Sequence, residues 1–207
     1  ICMRIGLFDS GVGGLTVMAA CKRLLPRASY VYMDDASDAP YGEKSDEEII
    51  SAADRCVSAL LGAGCGIIVI ACNTATAVAA PFLRAKYADV PIVGLEPAVA
   101  PALAAERGKV LLLATPVTVR HKSYPPRVIV GAERTLASDV ERAYGCPSAL
   151  HALARRTLAK YRGYSAVVTG CSHYAHLSPY IHCRVYDGAD GVARRLLAII
   201  SGKAAPL

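Results

Sequence analysis

An α/β fold of two similar lobes, each a mainly parallel sheet covered by helices, is the architecture this sequence predicts. Three observations predict it. Strand-sized apolar runs alternate with segments of helical period along the whole chain. Those runs are continuously apolar rather than alternating, as in parallel strands buried on both faces. One pattern also occurs twice: Ile67-Ile68-Val69-Ile70-Ala71-Cys72-Asn73-Thr74 is echoed by Ala166-Val167-Val168-Thr169-Gly170-Cys171-Ser172-His173. Each copy is an apolar strand, a small residue, a cysteine and a polar residue, so the two cysteines read as equivalent points of the two lobes.

Arg4–Phe8 is the first predicted strand, closed by Asp9-Ser10-Gly11. Gly13–Leu25 reads as a helix, with Leu15, Met18, Ala19 and Leu25 near helical spacing. Ser29–Met33 is a second strand. Asp46–Leu61 is a long helix, with Ser45 as its cap and three acids in its first turn. Ile67–Ala71 is a buried strand, Thr74–Tyr87 a helix starting from Asn73, and Pro91–Leu95 a fourth strand. The pattern then repeats. Ala98–Glu106 is helical, Val110–Ala114 a strand, Pro116–Tyr124 a loop or short helix, and Val128–Val130 a weak strand. Ser148–Tyr161 is a helix, Ala166–Thr169 a strand, Leu177–Ile181 a helical piece, Arg184–Tyr186 a strand and Gly191–Ile200 a final helix. The expected division is 1–95 plus 187–207 for the first lobe and 96–186 for the second.

Composition narrows the function. With 54% hydrophobic and 19% charged residues in 207, the chain buries a large core, which excludes bulk disorder. Its net charge of +6 is spread over single residues and pairs such as Arg155-Arg156, so an anionic small molecule is expected and nucleic acid is not. No apolar run approaches the length of about 18 residues that a membrane span needs, and no membrane partner is expected. Ile1–Gly6 has none of the marks of a signal peptide, and a cytoplasmic location is the expectation.

Eight cysteines are many for such a chain. No CxxC pair occurs, and His121, His151, His176 and His182 form no ligand pattern with carboxylates, so no metal is expected. Most of the cysteines read as small buried hydrophobes. Cys72 and Cys171 differ, because each follows a strand and precedes a helix. Ligands of open α/β sheets bind at that edge, and a helix N-terminus lowers a thiol pKa that is otherwise about 8.5. Asn73 and Thr74 stand beside the first thiol, Ser172 and His173 beside the second. Asp9-Ser10-Gly11-Val12-Gly13-Gly14-Leu15-Thr16 is a glycine-rich turn whose N–H groups suit a carboxylate or phosphate. It is neither a Rossmann fingerprint nor a P-loop. Asp9 at the strand end is a candidate proton acceptor. Pro40-Tyr41-Gly42 reads as a turn on spacing alone, and Thr115 and Thr118 follow a strand with hydroxyls to offer.

These segments together resemble the glutamate racemases. The resemblance rests on Phe8–Val17, Ala39-Pro40-Tyr41-Gly42-Glu43-Lys44-Ser45, Ile70–Ala75, Ala114–Val119 and Gly170-Cys171-Ser172-His173-Tyr174, in that order. It is close over the first 120 residues and afterwards gathers around Cys171 and Val185-Tyr186-Asp187-Gly188. It implies a cofactor-independent amino-acid racemase with two pseudo-symmetric lobes and its active site in the cleft between them. It implies D-glutamate as a product for peptidoglycan, an acidic amino acid as substrate and a homodimer. By motif matching, Cys72 and Cys171 take the roles of the catalytic thiols. Asp9, Ser10, Pro40, Tyr41, Gly42, Asn73, Thr74, Thr115, Thr118, Ser172 and His173 take those of substrate-contacting or supporting residues, with Asp9 and His173 also serving the thiols.

The chain departs from the family pattern at several points. Ser172 stands where Thr is usual, and His121 where a small hydroxyl residue is common. The stretch between Thr118 and Cys171 is short. The family places a Glu a few residues after Cys-Pro. Here Cys146-Pro147 leads to Ala154 at that place, and Glu141 precedes the pair, so the role is not carried onto it. Two other readings are a racemase or isomerase of another acidic compound such as aspartate, and a silent protein that holds an acidic ligand. A Cys–His hydrolase is a more distant one.

Overall fold

The computed structural model describes residues 3–205; Ile1, Cys2, Pro206 and Leu207, and with them one of the eight cysteines, lie outside the described residues. Strand β1 (Arg4–Asp9) turns into helix α1 (Gly14–Leu24) and returns as β2 (Ser29–Asp34). A 3-10 turn at Tyr41–Glu43 precedes α2 (Asp46–Gly62), β3 (Ile67–Ile70), α3 (Asn73–Lys86) and β4 (Ile92–Gly94). The second half runs α4 (Val99–Ala105), β5 (Val110–Ala114), α5 (Pro116–Arg120), β6 (Val128–Ala132), α6 (Leu136–Ala143), α7 (Pro147–Leu158) and β7 (Ala166–Gly170). A 3-10 segment at Ser172–Tyr180, β8 (Arg184–Asp187) and α8 (Ala189–Ile200) follow.

Two four-stranded sheets result, in the orders β2-β1-β3-β4 and β6-β5-β7-β8. Every strand pair is parallel. The orders coincide when each strand of the second sheet is matched to the strand four earlier. In both sheets the chain leaves the inner strand (β1 or β5) to one side and comes back on the other (β3 or β7). That change of direction opens the crevice at the carboxyl ends of those strands where ligands of such sheets bind.

The cores explain the continuous apolar runs. Ile5 and Leu7 join Ile67 and Val69 on one face of the first sheet, while Phe8 joins Ile68 and Ile70 on the other. In the second sheet Leu111 and Leu113 face one way and Val110 and Leu112 the other. Side chains alternate across a strand, so a strand covered on both faces needs apolar residues at every position. Helix α8 lays Val192, Ala193 and Leu196 into the cluster of Ile5, Leu7 and Val17, so the last helix belongs to the first sheet's cover.

Local signals act as expected at α2. Ser45 Oγ accepts from Glu48 N–H at 3.3 Å and the Glu48 carboxylate accepts from Ser45 N–H at 2.8 Å, a reciprocal cap. Two elements depart from the sequence reading. The stretch between Val130 and Ser148, to which the sequence reading assigns no element, holds α6, which buries Leu136, Ala137, Val140 and Ala143. The piece expected at Leu177–Ile181 begins earlier, because the 3-10 segment starts at Ser172 directly after Cys171.

Candidate active site

Two strand ends build the first half of the site. β1 delivers Asp9 and β3 delivers Cys72, which caps α3 with extended backbone. Asp9 is fully buried. Its carboxylate accepts from Gly14 N–H at 2.6 Å and from the Ser172 hydroxyl at 3.2 Å. Ser10 Oγ lies 3.8 Å from Cys72 Sγ. Asn73 donates through Nδ2 to the Leu95 carbonyl at 3.1 Å, and its Oδ1 is buried without a partner.

The second half sits at the matching strand ends. β7 delivers Cys171, and the 3-10 segment that follows brings His173 Nδ1 to 3.9 Å from Cys171 Sγ. The other ring nitrogen, Nε2, lies 2.6 Å from Glu141 Oε2. Glu141 stands on α6, an element absent from the sequence reading. Ala154 is buried in α7 without a polar group, so the carboxylate that meets the His173 ring comes from α6 instead. The apolar spacing of Leu136, Ala137, Val140 and Ala143 is the signal that locates this helix and turns Glu141 inward.

Polar contacts join the lobes across the cleft. Glu141 Oε2 also accepts from Val12 N–H at 3.2 Å, and His176 Nε2 lies 3.2 Å from the Val12 carbonyl. Thr74 Oγ1 lies 3.0 Å from Thr115 Oγ1 and 3.3 Å from Thr118 Oγ1. Ser138 of α6 donates to Glu43 at 3.4 Å. His121 meets Asp46 at 3.0 Å, so the histidine that replaces a small hydroxyl residue becomes one more such tie. Glycine permits the closest approach. A Cβ at Gly11, where φ is +145°, would stand 2.5 Å from Glu141 Oε2, and one at Gly13 would stand 2.6 Å from His173 N.

The residues expected at the site therefore converge, with two differences of degree. Tyr41 is buried and its hydroxyl is taken by Asp35. Gly42 lies against the Thr115 side chain. Pro40 is at the mouth, where a cavity of about 190 Å³ is bordered by Ser10, Pro40, Ser138, Glu141, Arg142 and His173. Tyr32 was not expected; its hydroxyl fixes the glycine turn by donating to the Gly11 carbonyl at 2.7 Å. Among the described residues, no group of three or more His, Cys, Asp or Glu is arranged to hold a metal ion.

The environments of the two thiols differ. Burial raises the Asp9 carboxyl to about 6, opposed by the charge of His173 and by hydrogen bonds from Gly14, Ser10 and Ser172. Burial pushes the Cys72 thiol well up, and the nearby Asp9 and Cys171 add to it, against weaker support from Ala75 N–H and Ser10. Burial disfavours a charged His173, yet its contacts with Cys171 and Glu141, with Asp9 nearby, outweigh it and raise the imidazole to about 11. Glu141 is held below the usual carboxylate range, first by its hydrogen bond with His173. Near neutral pH the site thus sets a protonated Cys72 near a carboxylate, and an imidazolium beside Cys171. One side favours a thiol; the other sets a cationic ring 3.9 Å from sulfur.

Two equally ordered parallel sheets each carry a cysteine just past the same strand end. The chain belongs to the Asp/Glu/Hydantoin racemase family, whose model matches residues 5–196, and it is an isomerase of the amino-acid racemase type. Its relatives there are glutamate racemases. It is 40% identical to that of Ectopseudomonas mendocina over 95% of this chain and 81% of the relative, and 35% identical to that of Halothermothrix orenii over 94% and 83%. Among solved structures it resembles Escherichia coli glutamate racemase in complex with L-glutamate and an activator. That match has a TM-score of 0.85 and 32% identity, covering 99% of this chain and 85% of the other. Among the described residues no helix is long and apolar enough to cross a membrane.

Proposed function

We propose that this chain interconverts L- and D-glutamate without a cofactor, with Cys72 and Cys171 as the two proton-transfer groups. The observation that carries the reading is the pair of thiols at matching ends of β3 and β7, each with its own polar partners. Inverting a stereocentre by proton transfer needs one group to take the α-proton from one face and another to deliver a proton to the opposite face. A thiolate and a thiol on two facing lobes meet that need. His173 stands 3.9 Å from Cys171 Sγ, placed to exchange a proton with it, and Glu141 holds the ring in place. Cys72 begins protonated and donates to the carbanion, with Asp9 near it to hold the proton between turnovers. In the reverse direction the roles exchange. Substrate carboxylates are held by N–H groups and hydroxyls around Asn73, Thr74, Thr115, Thr118 and Ser172. Exclusion of water strengthens that hold, because Cys72 and Cys171 are each under 5% exposed.

On this reading the product D-glutamate supplies peptidoglycan, the protein works in the cytoplasm, and two copies associate. The test is incubation with L- or D-glutamate in D₂O, following loss of the α-proton by NMR beside inversion by circular dichroism. Exchange with inversion from both enantiomers is expected. Preference for aspartate in the same assay would redirect the substrate assignment, and binding without exchange would overturn the reaction.

A further inference from the structure

His176 is a partly buried histidine at the cleft that takes no part in the proposed proton transfers. We infer that it is a positioning residue: by holding the Val12 backbone of the first lobe it fixes Glu141 against the His173 ring, and so aims the group beside Cys171. The inference rests on the proposed reaction for the role of Cys171.

Four residues form a closed circuit. His173 Nε2 meets Glu141 Oε2 at 2.6 Å, and the same oxygen accepts from Val12 N–H at 3.2 Å. His176 Nε2 lies 3.2 Å from the Val12 carbonyl. A carbonyl only accepts, so Nε2 carries a proton and donates it, in the neutral ring as in the charged one. The chain closes the circuit. Both histidines stand on the 3-10 segment Ser172–Tyr180, three residues apart, where three residues make one turn and their side chains share an edge. The second lobe thus grips Val12 at its N–H and at its carbonyl.

Each link depends on the next. Val12 sits between Gly11, where φ is +145°, and Gly13, in backbone with much freedom of its own. Tyr32 steadies this turn from the first lobe by donating to the Gly11 carbonyl at 2.7 Å, and His176 steadies it from the second. The Glu141 side chain is 37% exposed, and a carboxylate so exposed gains little from a single partner. With Val12 fixed, its N–H is a second donor on the same oxygen, and the carboxylate stays turned to His173. His176 is itself lodged. Tyr144, at the end of α6, meets its ring edge-on at 4.9 Å, so the helix that carries Glu141 also supports His176. Burial holds the His176 imidazole below its ordinary range, and the charge of His173 adds to this, against the Val12 carbonyl, Glu141 and Asp187. His176 therefore leaves the positive charge to His173 and keeps the work of a neutral donor.

The test compares wild type with H176F and H176A, which remove the donor, and H176Q, whose amide returns an N–H at similar reach, with thermal melting as the check on folding. Loss of the α-proton in D₂O is timed separately from L- and D-glutamate, and the proton on His173 Nε2 is followed by NMR in ordinary water. In H176F and H176A, exchange is expected to fall by about 5- to 10-fold from the enantiomer whose exchange Cys171→Ala abolishes, and to stay within about twofold from the other. The Nε2 proton, held downfield by its bond to Glu141, is expected to move upfield. H176Q is expected to restore both. The inference requires all three results. A fall equal for both enantiomers marks a loosened fold alone and would overturn it; so would an unmoved proton signal, or an H176Q protein that behaves like H176A. Absence of α-proton exchange in wild type would overturn the proposed reaction instead, and the NMR signal then decides His176 alone: an upfield move restored by H176Q supports its hold on Glu141 and His173, and an unmoved signal overturns it.

Discussion

Cys72 lies beside a serine hydroxyl and near a buried carboxylate, whereas Cys171 faces an imidazole that is itself gripped by Glu141. The positions match in the fold but the chemistry around them does not. The first half is made from residues next to strand ends: Asp9 and Ser10 close β1, and Cys72 closes β3. The second half needs a residue on a separate helix, 32 positions before His173. Pseudo-symmetry thus sets where the two thiols stand, and the local partners give each a different surrounding.

Removing a thiol is the strongest way to break the comparison. Cys72→Ala and Cys171→Ala are each expected to lower kcat for inversion by about 10²- to 10⁴-fold, the range for one acid–base group. Deuterium exchange should survive in each from one enantiomer only, and from opposite enantiomers in the two variants. Equal exchange from both enantiomers in either variant would refute the division of labour. Glu141→Gln comes next. It keeps the shape and removes the charge that sustains the imidazolium, and a hydrogen bond of that kind corresponds to about 10- to 100-fold in kcat. The pH at which activity falls on the alkaline side should move down in this variant, as read from a kcat profile.

Asp9 sharpens the comparison through pH. Its pKa in the fold, about 6, is raised above the ordinary 3.8, so the stability it confers is full below about pH 4 and is lost as pH rises through 6. Asp9→Asn should therefore melt higher than wild type at pH 7 and lose that advantage by pH 3.5. The same variant should lose the acid limb near pH 6 from its kcat/KM profile, which ties the cost in stability to the activity. For His173 the sign leads to a different window. Its pKa rises from 6.5 to about 11, so its contribution is complete below 6.5 and disappears as pH rises through 11. Smaller again is Gly11→Ala, which places a methyl against Glu141 and His173 at positive φ and should cost about 1–3 kcal/mol in melting experiments. Ser45→Ala, far from both thiols, should cost about 1 kcal/mol and leave kinetics unchanged.

How much of this the sequence disclosed follows the same divide. The strands of both sheets were legible because each is a continuous apolar run, and the thiols because a cysteine between strand and helix recurs. In the first half the partners are adjacent in sequence, so Asp9, Ser10, Asn73 and Thr74 could be named. In the second half Glu141 was set aside, since the expected place for a glutamate after Cys146-Pro147 holds Ala154. Nothing local tells that α6 lies against the first lobe. Its eight residues are amphipathic but short, and the contacts of Glu141 with Val12 and His173 exist only once both sheets have formed.

The ties between the lobes bear on timing. Val12 to Glu141, Ser172 to Asp9, Ser138 to Glu43 and the threonine cluster all span the cleft, and substrate cannot reach sulfur until enough of them let go. Each turnover then includes an opening that chemistry does not accelerate. With glutamate deuterated at Cα, the isotope effect on kcat should be muted, while added viscogen slows kcat. In a variant whose proton transfer is crippled, such as Glu141→Gln, the full isotope effect should emerge and the viscosity effect vanish.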